Sequence, residues 1–304
     1  MIQENIGELA ALATAFSWTF VGIFFGSASK RIGSLSVNFI KLIFGFIFLS
    51  VTAYFTRGIM FPTDATLHNW TYLMISGVIG FFLGDFFMLK AYIEVGVRVS
   101  LLLMATSPPM TALIGYLLLG EVLSFSSIVG MSITLFGIVI VILSKDAKDK
   151  KFKIKYSLRG LTYAFIGAFG QSMGLIFSKI GLGDYNTFAA TQIRIIAGFM
   201  CFVIFVTVKN SWGDLRIAIK DKVAIFHTLL GSFFGPFVGV SLSLIALRYT
   251  SAGIASTLTS ITPITIIPFS ILVFKEEVKT KEIIGALVSV IGVAFLMLFK
   301  GAWF

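Results

Sequence analysis

The sequence is poor in charged residues. Asp, Glu, Lys and Arg make up 12% of its 304 residues, whereas soluble domains carry about 25%. Hydrophobic residues make up 57% of the chain, including 33 Phe. A soluble core cannot bury so many apolar side chains without leaving large apolar patches in water. The composition therefore excludes an ordinary soluble domain and predicts an all-α integral membrane protein.

Cysteine, histidine and the common cofactor motifs are scarce or missing. The single Cys201 cannot form an intramolecular disulfide, and His68 and His227 lie too far apart in the sequence to suggest a zinc site. The sequence has no GxGxxG, P-loop or HExxH string, and we find no nucleophile–base constellation. We therefore predict no enzyme, no cofactor and no metal. Membrane topology explains the net charge of +10 better than a nucleic-acid partner does.

Long apolar runs fill the rest of the sequence. A transmembrane helix needs about 20 mostly apolar residues, and by that criterion the chain divides into ten segments. We number them 1 to 10 in chain order: 7–28, 35–56, 69–91, 99–120, 125–143, 158–179, 186–208, 223–247, 252–274 and 282–299.

Basic residues are distributed unevenly among the loops. Most of the 24 Lys and Arg residues lie in the loops after segments 1, 3, 5, 7 and 9, and the linker after segment 5 is the most basic. The other side holds only Arg57, Lys179, Arg248 and Lys300. The positive-inside rule therefore predicts a multi-pass protein of the cytoplasmic membrane with both termini outside.

The two halves of the chain repeat. An offset of 155 residues aligns identical residues at special positions without a gap: Gly80 with Gly235, Gly84 with Gly239, Ala91 with Ala246, Pro108 with Pro263, Glu121 with Glu276, Gly130 with Gly285 and Gly137 with Gly292. We predict a first repeat at 1–143, a basic linker at 144–157 and a second repeat at 158–304. Because each repeat has five segments, the second must enter the membrane from the opposite side. Inverted repeats are a common design for alternating access, so this arrangement predicts a transporter.

Two paired strings carry a resemblance to a known family. They are SPPMTALIGYLLLGE at 107–121 and TPITIIPFSILVFKEE at 262–277, and glycine-rich segments 5 and 10 accompany them. With these strings the whole chain resembles the ten-helix, EamA-type members of the drug/metabolite transporter superfamily. The resemblance implies a permease for amino acids, other metabolites, nucleotide-sugar-like solutes, vitamins or quaternary amines, and it favours export.

Asp85 is a carboxylate within apolar segment 3, where a charge is costly unless it faces a partner or a watery cavity. We leave two roles open, a proton carrier and an ion-pair partner of Lys41. Lys41 and Arg194 occupy matching positions in the two halves, near helix ends from which basic side chains often reach the interface. Arg194 has no acid nearby in its own segment, so it is the better candidate for binding a substrate carboxylate or phosphate.

Other polar, aromatic and proline residues complete the predicted site. Pro108 and Pro263 are predicted to kink segments 4 and 9, which frees carbonyls for gating or binding. Glu121 and Glu276 at the ends of these segments are interpreted as structural acids. Further substrate-binding candidates within the segments are Trp18, Asn38, Tyr92, Gln171, Gln192 and Ser241.

The predicted function is secondary active export of a small polar metabolite, such as an amino acid, by alternating access with protons as a candidate coupling ion. One alternative is a transporter of organic cations, amines or drugs that uses Asp85 and Trp18. An alternative of another class is a receptor or assembly protein in the membrane that transports nothing.

Overall fold

The computed structural model describes residues 6–120, 125–145, 152–154, 156–250, 255, 258–259, 261–273, 275 and 278–298. Almost all of this part of the chain is helical. Six helical stretches within it are long and apolar enough to cross a membrane. The α-helices are Ile6–Arg57, Leu67–Gly77, Asp85–Glu94, Val97–Leu103, Ser107–Leu119, Phe125–Ile142, Leu158–Leu182, Thr187–Val208, Trp212–Ala218, Lys222–Ser232, Val240–Tyr249, Thr262–Leu272 and Thr280–Leu298.

Segments 1 and 2 form one helical stretch of 52 residues, Ile6–Arg57. The sequence predicts a short loop between them, but only Gly33 departs from helical geometry, with φ of 77° and ψ of 157°. A positive φ is readily available to glycine, which has no Cβ. The reversal between these two segments therefore needs a single residue.

Segments 3 and 8 each contain a π-helical stretch, which the sequence pattern does not predict. These stretches are Val78–Gly84 and Phe233–Gly239, and the offset of 155 residues superimposes them. An α-helix resumes immediately after each, at Asp85 in segment 3 and at Val240 in segment 8. π-Helical bulges occur frequently at functional sites, and here each one directly precedes a residue that faces the interior.

In segments 4 and 9, Pro108 and Pro263 each lie in the first turn of an α-helix, and the predicted kinks stay predictions. In segment 4 the chain runs from Val97–Leu103 through a 3₁₀ turn, Met104–Thr106, to the helix Ser107–Leu119, of which Pro108 is the second residue. In segment 9 the helix Thr262–Leu272 has Pro263 as its second residue. The first turn of a helix accepts proline because its N–H groups lack helical partners there.

Segments 5 and 10 pack face to face around Thr134 and Ser289, which the offset of 155 residues pairs. Ser289 Oγ donates to the Thr134 carbonyl oxygen at 3.2 Å, and Thr134 Oγ1 lies 3.4 Å from the Ser289 carbonyl oxygen. A Cβ added to Gly137 would meet Ser289, and one added to Gly292 would meet Thr134. Reciprocal contacts between equivalent residues are typical of a twofold axis, so an approximate twofold axis passes between these segments.

Glycines bring segment 3 close to segments 6 and 7. A Cβ on Gly170 would lie 2.8 Å from the Cα of Gly84, and a Cβ on Gly174 would lie 3.0 Å from the Cα of Gly80. A Cβ on Gly77 would collide with the carbonyl oxygen of Arg194. Small residues at such positions allow transmembrane helices to approach closely. These contacts fix Asp85 of segment 3 beside residues of the second repeat.

Two further elements lie outside the ten predicted segments. The strands Leu143–Lys145 and Phe152–Ile154 pair antiparallel, the first at the junction of segment 5 with the basic linker and the second within the linker. The short helix Trp212–Ala218 lies between segments 7 and 8. After it, Asp221 caps the next helix and forms an ion pair with Arg31, with 2.8 Å between Oδ2 and Nε. The two strands and this short helix are too short to resemble membrane spans in the sequence.

Candidate functional site

A cavity lies at the centre of the helical assembly. It offers about 120 Å³ to the centres of water-sized molecules, many times the roughly 10–15 Å³ that one water needs. Each of segments 1–4 and 6–9 contributes side chains to its wall. The described residues that line it are Trp18, Val21, Phe25, Lys41, Phe81, Asp85, Met88, Leu89, Tyr92, Leu101, Met104, Ala105, Ser107, Gln171, Leu175, Arg194, Pro236, Val240, Ser243, Ala255, Thr259, Thr262 and Pro263.

Asp85 and Lys41 form a buried ion pair in this wall. Lys41 Nζ lies 2.5 Å from Asp85 Oδ2, and the two side chains are 3% and 12% exposed. Gln171 of the second repeat donates from Nε2 to the other carboxylate oxygen, Oδ1, at 2.6 Å. Each oxygen of the carboxylate therefore accepts a hydrogen bond, and one of the two donors is a cation.

The π-helical stretch and Asn38 position Asp85. The backbone N–H of Asp85 bonds to the carbonyl of Gly80 within this stretch, and Gln171 Nε2 approaches that carbonyl to 3.3 Å. Asn38 Nδ2 donates to the carbonyl of Ser34 at 2.9 Å and lies 3.4 Å from the carbonyl of Asp85. Asn38 therefore acts on the backbone that carries Asp85 and is not among the described residues that line the cavity.

Arg194 lies in the same cavity, but its environment differs from that of Lys41. The residue is 4% exposed, and its guanidinium lies over the Phe81 ring at 4.7 Å from the centroid. Its Nε is buried without a hydrogen-bond partner. Asp85 acts on it electrostatically, but no carboxylate of the described residues forms an ion pair with it. A buried cation in this situation is costly and can bind an added anion strongly.

Aromatic and apolar side chains make up most of the remaining wall. Trp18 and Tyr92 both line the cavity, as does Phe25, whose ring centroid lies 5.4 Å from Lys41 Nζ. Ser107 and Thr262 stand beside the prolines that begin the helices of segments 4 and 9, and both face the cavity together with Pro263. A ligand here meets a few polar groups on an apolar surface, as is typical of small-molecule sites.

Three other predicted residues are not among the described residues of the cavity wall. Gln192 donates to Ser50 Oγ at 3.0 Å and to the Met60 carbonyl at 2.7 Å, so it ties segment 7 to the loop after segment 2. Ser241 is buried with an unpartnered hydroxyl, and Pro108 is buried at the start of its helix. Glu121 and Glu276 lie outside the described residues.

A second buried ion pair, which the sequence did not suggest, joins the helix Val97–Leu103, which leads into segment 4, to segment 10. Arg98 Nη1 lies 2.5 Å from Glu282 Oε2, with side chains 11% and 7% exposed. The hydroxyl of Tyr156 donates to Glu282 Oε1 at 3.0 Å. Both charged residues stand beside predicted loops, where sequence reasoning assigns them to topology. The pair lines a smaller cavity with Pro263, so it lies next to the central site.

A polar cluster joins the loops after segments 2 and 6. Arg57 forms an ion pair with Asp64 and keeps the pKa of Asp64 below its usual value. The Tyr185 hydroxyl donates to Asp64 Oδ1 at 2.9 Å. Partial burial, followed by this hydrogen bond, raises the pKa of Tyr185 to about 12. The hydrogen-bonded loops connect the ends of segments 2 and 6.

Among the described residues, no group of three or more His, Cys, Asp or Glu side chains could hold a metal ion. The cavity thus combines charged side chains with apolar walls, and both repeats build it within membrane helices. Buried charges within membrane segments commonly mark solute or ion pathways. Together with the twofold-related repeats, these features are typical of the transporter class of membrane proteins.

Comparison with known proteins agrees with this class. The model of the EamA-like transporter family matches residues 5–143 and 158–298, so the chain belongs to this family. The predicted superfamily and the architecture of ten helices in two inverted repeats are thereby confirmed. An uncharacterized transporter of Archaeoglobus fulgidus is 21% identical over 291 residues, which are 95% of this chain and 97% of that protein. One crystal structure superposes with a TM-score of 0.67 at 16% identity, covering 96% of both chains, and shows the shared fold.

Proposed function

We propose that this protein is a secondary active transporter of the cytoplasmic membrane that exports a small polar metabolite, such as an amino acid, by alternating access. The single observation that carries the proposal is the central cavity, to which segments 1–4 and 6–9 contribute and in which Lys41, Asp85 and Arg194 meet. A buried charge in a membrane helix costs a few kcal/mol or more unless it serves a partner or a pathway.

The repeats at 1–143 and 158–304 are the two halves that would move. Their contact at segments 5 and 10 is twofold symmetric, and it lies apart from the cavity wall. Segments 3, 4 and 8 are each interrupted beside the cavity, by a π-helical stretch or a 3₁₀ turn. Non-α backbone that lines a cavity is typical of transporter binding sites. These interruptions are the points at which the helices would bend.

Asp85 is the proposed proton site. In the conformation described, Lys41 and Gln171 occupy both carboxylate oxygens. Protonation of Asp85 would remove the charge with which Lys41 is paired, so we link protonation to rearrangement of the cavity. The same contacts disfavour the organic-cation alternative, because a cation would have to displace Lys41 from Asp85.

Flux in proteoliposomes tests the proposal. The purified full-length protein would be reconstituted and screened against radiolabelled amino acids, other carboxylates, amines and nucleosides, with and without a pH gradient. We expect saturable flux for one class above that of protein-free vesicles. Silence for every class, from protein that unfolds cooperatively and elutes as a single species, would contradict the proposal in favour of a non-transporting membrane protein.

A further inference from the structure

The described wall of the cavity contains three charged side chains, and their charges do not cancel. Lys41 and Arg194 are cationic, and Asp85 is the one carboxylate among them. Lys41 and Asp85 neutralise each other at 2.5 Å. Arg194 forms no ion pair with a described carboxylate, so the formal charges of the described wall sum to about +1 at neutral pH.

The twofold repeat shows where a balancing acid would stand. Arg194 occupies the position in segment 7 that Lys41 occupies in segment 2, and Val240 occupies the position in segment 8 that Asp85 occupies in segment 3. Val240 lines the cavity and is 4% exposed. The second repeat thus keeps the cation and has an apolar side chain where the first repeat has the acid.

Arg194 is also prepared for a ligand. Its Nε is buried without a hydrogen-bond partner, while the Phe81 ring supports the guanidinium plane from one side. Guanidinium presents a planar fork of donors that matches a carboxylate in two parallel hydrogen bonds. A buried donor without a partner is unfavourable until a ligand supplies the acceptor.

The other side chains of the cavity wall indicate that the part of the ligand away from its charged group is apolar. Trp18, Phe25, Met88, Tyr92 and Leu101 present mostly apolar surface. The one described carboxylate is already paired with Lys41 and also accepts a hydrogen bond from Gln171, so an ammonium group of a ligand would compete with Lys41 for it. The ammonium group of a zwitterion would find no unpaired carboxylate among the described residues of the cavity wall.

We propose that the transported solute is an organic anion with one acidic group and an apolar body, and that Arg194 binds the acidic group. This inference rests on the proposed function, since it names the substrate class of the same cavity. It narrows the solute from a zwitterionic amino acid to an acid of the same size that lacks the ammonium group.

A series of ligands with one body and different charge tests the inference. The probes are 3-phenylpropanoate as anion, phenylalanine as zwitterion and phenethylamine as cation, with 4-methylpentanoate, leucine and isoamylamine as an aliphatic series. Binding to the purified full-length protein is measured from the ligand-dependent rise of its thermal unfolding midpoint. We expect the anion of at least one series to bind about tenfold more tightly than its amine, as expected for a charge-assisted contact.

Variants of Arg194 test whether this residue causes the preference for the anion. Arg194→Gln should weaken anion binding by about tenfold and leave amine binding unchanged or stronger, since it removes an unpaired buried charge. Arg194→Lys should keep the preference for the anion in weaker form, because the charge remains without the fork. Arg216→Gln is the matched control, because Arg216 is exposed on the short helix Trp212–Ala218, and it should bind like wild type.

Several results would overturn the inference. One is an amine or amino acid that binds as tightly as the matching anion. Another is an Arg194→Gln protein, folded by its unfolding midpoint, that binds the anion like wild type. A third is no stabilisation by either anion at about 10 mM, well above the usual KM range of transport and catalytic sites.

Flux separates this inference from the proposed function. If the anion binds with the expected preference but wild-type proteoliposomes do not transport it, the inference that the cavity binds an organic anion stands and the proposed transport function fails. If phenylalanine or phenethylamine is transported and neither anion binds, the proposed transport function stands and the inference that the solute is an organic anion fails.

Discussion

Lys41 and Arg194 occupy equivalent positions in the two repeats and both line the central cavity, yet only Lys41 forms an ion pair with a described carboxylate, at 2.5 Å from Asp85. At segments 5 and 10 the repeats match each other, as the reciprocal contacts of Thr134 with Ser289 show. The symmetric part of the molecule is therefore the scaffold. The charge of the cavity is not symmetric, because the first repeat has Asp85 where the second has Val240.

Restoring the missing acid should reverse the charge preference of the cavity. In Val240→Asp the new carboxylate is expected to pair with Arg194, as Asp85 pairs with Lys41, and to remove the net positive charge. Anion binding should fall by about tenfold, because the internal carboxylate competes with the ligand. Val240→Asn, similar in size but uncharged, is the control. Thermal-shift titration of both variants checks the prediction, and wild-type anion binding by Val240→Asp would contradict it.

The pair of Lys41 and Asp85 should behave as one unit in a double-mutant cycle. Asp85→Asn leaves a buried cation and Lys41→Met leaves a buried anion, so each should lower the free energy of unfolding by about 3 kcal/mol. The double variant removes both charges and should recover most of that loss. Thermal unfolding in detergent measures the three variants. Additive losses would show that the two side chains do not depend on each other.

The glycine contact between segments 3 and 7 should not tolerate a methyl group. In Gly77→Ala the new Cβ would collide with the carbonyl oxygen of Arg194, and overpacking of this kind costs about 1–3 kcal/mol. Gly213→Ala is the matched control, because a Cβ there has nothing within 4 Å and its φ is not positive. Unfolding midpoints report both variants, and equal stability would mean that the segments can separate freely.

The pair of Arg98 and Glu282 should stabilise the contact between segments 4 and 10. Glu282→Gln removes the carboxylate charge that pairs with Arg98, and we expect the free energy of unfolding to fall by about 3 kcal/mol. Tyr156→Phe removes the hydroxyl that donates to Glu282, for about 1 kcal/mol. The comparison of the two unfolding midpoints tests this order, and a larger effect of Tyr156→Phe would contradict the assignment.

The sequence predicted the architecture well, because membrane segments are specified by composition and length. The ten segments, the offset of 155 residues and the family follow from apolar runs and from the special residues Gly, Pro and Glu. Local backbone form was predicted less well. Apolar runs do not distinguish α- from π-helix, so the stretches Val78–Gly84 and Phe233–Gly239 carry no signal in hydropathy. Pro108 marks an interruption of segment 4, but the sequence does not give its form, which is a 3₁₀ turn before the helix Ser107–Leu119.

The sequence predicted the charged residues of the site better than the neutral polar ones. Charged residues inside apolar segments are costly, so Lys41, Asp85 and Arg194 were conspicuous in the sequence, and all three line the cavity. Neutral polar residues carry no such cost, and their helix face depends on packing. Gln171 therefore lies against Asp85, whereas Gln192 bonds to the loop after segment 2. Arg98 and Glu282 were hidden by their positions beside loops.

Proton movement during solute flux tests the central claim most directly. Proteoliposomes that contain a pH-sensitive dye would be given the transported solute, with wild-type protein and with Asp85→Asn compared at equal protein content. We expect wild type to move protons with the solute. Asp85→Asn should retain exchange of labelled for unlabelled solute, which shows that it is folded, and should give no pH change. An equal pH change in both proteins would contradict the role of Asp85 as the proton site.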